Sequence, residues 1–151
     1  MESSHHPEQQ TVSQRSAEPE LALSMKTAIA EFPRLFRGAP PQIPGWVLPG
    51  WGPLLRQLLQ SIDGCLTDEE AKAFRVVQIK EKFGSLRFYF YAPEEIRSRV
   101  NDLVEAARQS SEATCLRCGR PAVLATDNGA WMSVLCDQHM GTCTPVSLAD
   151  R

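Results

Sequence analysis

Arg75-Val-Val-Gln-Ile-Lys-Glu-Lys-Phe-Gly-Ser-Leu-Arg-Phe-Tyr-Phe-Tyr91 lies near the middle of the chain and decides the kind of fold it can adopt. β-Branched and aromatic residues crowd both halves, and Gly84 marks a bend between them, so the stretch predicts a β-hairpin. Alternation sorts the second strand: Leu86, Phe88 and Phe90 point one way, Arg87, Tyr89 and Tyr91 the other. In the first strand Val77 and Ile79 share a face, opposite Val76, Gln78 and Lys80. The expected core face is therefore Leu86, Phe88 and Phe90 with Val77 and Ile79. The expected wet face carries Gln78, Lys80, Arg87, Tyr89 and Tyr91.

Helical patterns flank the hairpin. From Pro19 to Phe32 the apolar residues Leu21, Met25, Ala28, Ile29 and Phe32 fall on one helical stripe, and Pro33 limits it. A second helix is expected from Pro53, since proline's missing N–H is harmless in a first turn. Leu54, Leu55, Leu58, Leu59 and Ile62 form its apolar face, with Gly64 as its stop. Thr67-Asp-Glu-Glu70 has the form of a capping box. A third long helix should run from Pro93 to Ser111, burying Ile96, Val100, Leu103, Val104 and Ala107, with Glu94 and Glu95 favourably placed in its first turn. Between the first two helices, Gly38-Ala-Pro-Pro-Gln-Ile-Pro-Gly-Trp-Val-Leu-Pro-Gly-Trp-Gly-Pro53 is too rich in proline and glycine for regular structure. Its Trp46 and Trp51 read first as packing anchors. The second reading is a partner-binding surface, because rigidly held tryptophans are favoured at interfaces.

Beyond the third helix the chain changes character. Cys115-Leu-Arg-Cys118-Gly119 is answered by Cys136-Asp-Gln-His139. Two short-spaced ligand pairs separated by one hairpin's worth of chain are what a tetrahedral zinc ion needs. Asp127-Asn128-Gly129 is a tight-turn signal between the apolar runs Ala122–Ala125 and Trp131–Leu135, so the hairpin is written independently of the cysteines. Cys115, Cys118, Cys136 and His139 are thus the expected metal ligands, with Cys143 as an alternative to His139. Three thiolates and an imidazole fill all four positions, which reads as structural rather than catalytic. A zinc deaminase would need His-x-Glu before Pro-Cys-x-x-Cys, and none of His5, His6 and His139 is followed by x-Glu. A thioredoxin-like role for Cys115 and Cys118 would place a strand before the pair and a helix after it, the reverse of the pattern here. Cys65 reads as a small buried apolar residue.

The chain has 151 residues, 42% of them hydrophobic, enough for one α+β domain with a small appended module. The expected divisions are a flexible polar tail over 1–18, an α+β core over 19–112 with helices packed on a central hairpin, and a zinc-ribbon-like hairpin over 113–151. Net charge is −2, which argues against a general nucleic-acid coat protein. The beginning lacks a basic, then apolar, leader pattern, and no stretch approaches the roughly 20 apolar residues of a membrane span. Thiols at ligand spacing fit a reducing, cytoplasmic setting.

Catalytic motifs are not found: there is no nucleophile elbow, no phosphate-binding glycine loop and no His-Glu-x-x-His. What remains as a functional candidate is the hairpin's wet face, where Arg75, Lys80, Lys82 and Arg87 mix with Tyr89 and Tyr91, although Glu81 interrupts the run. Such a face suits phosphate contacts and base stacking, and equally an ordinary solvated sheet surface. Candidate partner-binding residues are Trp46, Trp51, Lys80, Arg87, Tyr89 and Tyr91.

Gln78-Ile-Lys-Glu-Lys-Phe-Gly-Ser-Leu-Arg-Phe-Tyr89, a helix, Cys115-x-x-Cys118-Gly119, Trp131 and Cys136-x-x-His139 together resemble a group of small, largely uncharacterised bacterial and phage-associated proteins. Gly50-Trp51 before a leucine-rich helix matches too, so the likeness covers about residues 45–140. The resemblance implies an accessory protein of mobile elements or toxin systems, of the immunity or inhibitor kind. The expected function is therefore a non-enzymatic, zinc-stabilised protein-binding module that occludes a toxin or host factor. The alternative is a small nucleic-acid-binding zinc protein.

Overall fold

The computed structural model describes residues 25–38, 41 and 48–146. The expected tail over 1–18, the opening of the helix expected from Pro19, and Trp46 lie outside the described residues. The first helix, α1, runs Met25–Glu31 and gives way at Pro33 to a short 3-10 turn, Pro33–Leu35. A second 3-10 turn, Pro49–Trp51, leads into α2, Gly52–Cys65. Leu55, Leu58, Leu59 and Ile62 of α2 are buried as their spacing predicts, and Leu54 is half-buried. Gly64, expected as the stop, lies inside the helix, which ends instead where Leu66 turns extended (φ −103, ψ 133). Helix α3, Asp68–Lys72, begins on a true capping box: Glu70 N–H donates to Thr67 Oγ1 and Thr67 N–H to Glu70 Oε1.

The central hairpin pairs β1, Arg75–Lys82, with β2, Ser85–Tyr91. One feature departs from simple alternation. The register jumps between Val76 and Gln78, so Val77 is an extra, bulged residue. Val76, not Val77, therefore joins Ile79 on the core side, and Val77 is left 43% exposed. Phe88 is buried between the sheet and its helices, so Phe88→Ala should cost about 3–5 kcal/mol in chemical denaturation. A loss below about 1 kcal/mol would contradict that placement.

The turn holds Phe83 and Gly84 at φ 53 and 75, the left-handed pair of a two-residue hairpin. Phe83 is bulky and 66% exposed, a poor residue for that geometry. Phe83→Asn should raise the melting temperature and add about 1 kcal/mol of stability, and a drop would show the ring to be packed in solution.

Helix α4, Glu94–Ser111, packs on β2 and on α2. Ile96 and Val100 are fully buried, whereas Leu103, Val104 and Ala107, expected in the same stripe, are only half-buried. The core thus joins α1, α2, the hairpin and α4 around Trp51, Phe74, Leu59 and Val100. Past α4, β3 (Val123–Asp127) pairs with β4 (Trp131–Leu135) across the left-handed Asn128 and Gly129. A two-residue strand β5, Thr144–Pro145, adds to the other edge of β3. The molecule is an α+β fold with helices on a β-hairpin and a small three-stranded sheet, ordered β4-β3-β5, at its end. Among the described residues no helix is long and apolar enough to cross a membrane.

Candidate metal centre

The first ligand pair sits on a tight knuckle. Cys115 N–H donates to Arg120 O, Gly119 N–H donates back to Cys115 O, and Gly119 takes the left-handed φ of 78 that lets the chain reverse. Leu116 N–H donates to Val134 O, which docks this knuckle on β4. The second pair leaves the end of β4 and turns with His139 N–H donating to Cys136 O. Because β3 and β4 are joined by a short loop, the two knuckles meet at the same end of the sheet.

The ligand atoms of Cys115, Cys118, Cys136 and His139 all lie within 4.8 Å of one another. Zinc bonded to sulfur at about 2.3 Å and to nitrogen at about 2.0 Å demands tetrahedral edges of about 3.8 Å and about 3.6 Å. Cys118 Sγ is 3.5 Å from Cys136 Sγ, and His139 Nδ1 is 3.7 Å from Cys115 Sγ and 3.2 Å from Cys136 Sγ. The donor set and its edges fit one small tetrahedral cation, and soft thiolates with imidazole point to zinc. Cys143, weighed above as an alternative ligand, is not one of the four. Cys65 is half-buried rather than buried, beside α3.

The two thiols of the first knuckle are pushed in opposite directions by their surroundings. Burial pushes the Cys115 thiol up, but the backbone N–H groups of Cys136, Arg117 and Cys118, together with the Cys118 thiol, more than offset it and bring it to about 6. Cys118 is held above its ordinary value by burial and by the neighbouring Cys136 and Cys115, against one N–H from Arg120.

A segment read above only as a loop grips the knuckle from outside. Gly50 N–H donates to Leu116 O at 2.8 Å, and Trp51 Nε1–H donates to Thr114 O at 2.9 Å. A Cβ on Gly50 would stand 1.9 Å from Cys115 O and 2.7 Å from Gly119 N. Only glycine allows this approach. At the hairpin turn, a Cβ on Gly84 would meet Leu124 and Val134 side chains at 2.4 and 3.0 Å, so the small sheet leans on the turn as well. Glu112 at the end of α4 accepts from Ser85 Oγ, and Leu86 N–H donates to Ser111 Oγ, tying the hairpin to the end of the helix that leads into the knuckle.

These contacts decide the place of the partner-binding candidates. Trp51 is wholly buried, with its indole N–H engaged, so it is a packing anchor and offers nothing to a partner. Lys80, Arg87, Tyr89 and Tyr91 do share the outer face of the hairpin, with Tyr89 46% and Tyr91 59% exposed. Glu81 does not interrupt that face. It lies on the other side, opposite Leu86, and accepts the Gly84 N–H at 2.6 Å. Gly50 and Trp131 entered the sequence reading only as parts of the resemblance, without a role: Gly50 makes a contact with chain far away, and Trp131 is 63% exposed on β4. Neither carries a local signal of its use. Compared with protein-family models, with curated proteins and with solved structures, the chain finds no match.

Proposed function

We propose that this protein is a non-enzymatic binding module whose zinc-stapled frame holds the outer hairpin face against a protein partner. The observation that carries the reading is this face, where Tyr89 and Tyr91 are exposed beside the bulged Val77, with the exposed Phe83 at the adjoining turn, on a frame braced by two glycine contacts. Aromatic side chains held at low entropy cost are what interfaces use. The cluster supports the non-enzymatic part, since four protein ligands close a tetrahedral zinc to substrate. The sequence resemblance described above supports an immunity or inhibitor role, occluding a toxin or host factor. Thiols at ligand spacing fit the reducing cytoplasm.

The test is affinity capture with the zinc-loaded full chain from lysate of its own source, followed by titration against whatever is retained. A stoichiometric protein that binds again when purified is the expected result. Repeated capture with no such protein removes the reading. A second reading has its own observation: Arg75, Lys80, Lys82 and Arg87 form no ion pair with an acid among the described residues. Nucleic-acid binding would then appear as steeply salt-dependent association with single-stranded or duplex DNA or RNA.

A further inference from the structure

Resting on the protein-binding reading, we infer that the outer face of the hairpin docks onto a carboxylate-rich segment of its partner. Lys80 and Arg87 stand directly opposite each other across the ladder. Like charges at that position oppose strand pairing, and sheets ordinarily place opposite charges or neutral side chains there. No acid among the described residues is ion-paired with either one, and the nearest candidate in sequence, Glu81, is turned to the other side. Arg75 and Lys82 extend the same charge to both ends of the strand, beside Tyr91 and Phe83. The chain as a whole carries −2. Four of its sixteen basic residues, Arg75, Lys80, Lys82 and Arg87, thus lie on this one hairpin, none ion-paired with an acid among the described residues.

Two features favour carboxylates on protein over phosphates on nucleic acid. Lys80 Nζ lies 5.5 Å from the Tyr89 ring centroid, and the Arg75 guanidinium 5.7 Å from that of Tyr91, so cations already occupy ring faces that bases would need. Val77, bulged outward and 43% exposed, places an aliphatic side chain on the face, where a partner's side chain can pack and a phosphate gains nothing.

The experiment uses the zinc-loaded full chain and three fluorescent probes: a peptide alternating glutamate and valine, the same peptide with glutamine for glutamate, and a single-stranded oligothymidylate. Binding is read by anisotropy, and its place by amide shifts. The acidic peptide should bind at least about tenfold more tightly than either other probe and shift Val77, Lys80, Arg87 and Tyr89. Lys80→Glu should lose that binding by about tenfold while melting no lower than the parent, because it replaces a like-charged pair by an opposite one. Arg87→Gln repeats the test should the first variant misfold. Equal binding of the two peptides, tighter binding of the oligothymidylate, shifts elsewhere, or self-association through the same amides would each overturn the inference. A captured partner retained equally by Lys80→Glu would sink this docking face and leave the protein-binding reading standing. Acidic-peptide binding at the face with no partner ever captured would do the reverse.

Discussion

Cys115→Ser or Cys136→Ser should abolish stoichiometric zinc and unfold the small sheet, with loss of cooperative melting for the whole chain. Structural zinc binding is worth about 10–16 kcal/mol in small metal domains, as much as the roughly 5–15 kcal/mol that separates most folded proteins from their unfolded state. Here that energy is coupled to the core, because the first knuckle also holds Gly50 and Trp51. Chelation of the parent protein should therefore produce the same loss as mutation. Metal content by mass spectrometry and thermal unfolding by circular dichroism check both. Cys65→Ser is the control, since Cys65 stands outside the cluster and should leave metal content unchanged. Unaltered zinc in Cys115→Ser or Cys136→Ser would refute the ligand assignment.

Gly50→Ala should destabilise by about 3 kcal/mol or more, at the upper end of what overpacking costs. The added carbon would fall 1.9 Å from the Cys115 carbonyl oxygen, and the neighbours it meets are backbone atoms, which cannot swing aside as a side chain would. The knuckle must separate from the loop, breaking the Gly50-to-Leu116 hydrogen bond and uncovering Trp51. Because that knuckle carries two ligands, zinc affinity should fall in the same variant, by at least about tenfold in competition with a chelator. Gly64→Ala makes the contrast: nothing lies within 4 Å of its Cβ, and the residue is helical. It should gain about 0.4–1 kcal/mol. A Gly50→Ala protein as stable as the parent would mean that the loop and the knuckle do not touch in solution.

What the sequence showed and what it concealed divide along the range of the interactions. The capping box at Thr67, the turn at Asn128-Gly129, the apolar stripe of α2 and the two ligand pairs are all encoded within a few residues, and each was legible. The bulge at Val77 was not. Both β1 valines have the propensity for a strand, and only the partner strand's spacing decides which one is extra. The third strand of the small sheet escaped because Thr144–Pro145 is two residues long and leaves no period to detect. Trp51 was visible as an anchor, but its acceptor, Thr114 O, lies across the fold and no local pattern names it. Glu81 looked like an interruption of a basic run until the pairing put it on the opposite side, where it satisfies the turn's own N–H.

The seam between Gly50 and the first knuckle also bears on how the metal-binding part could be handled in isolation. An excised peptide spanning residues 113–146 would leave the Leu116 and Thr114 carbonyls without the N–H groups that now meet them. Its affinity for the ion would understate that of the intact chain, so this is a clasp built into a larger frame and not a detachable finger. Transplanting it into another scaffold would require carrying along its glycine-tryptophan bracket.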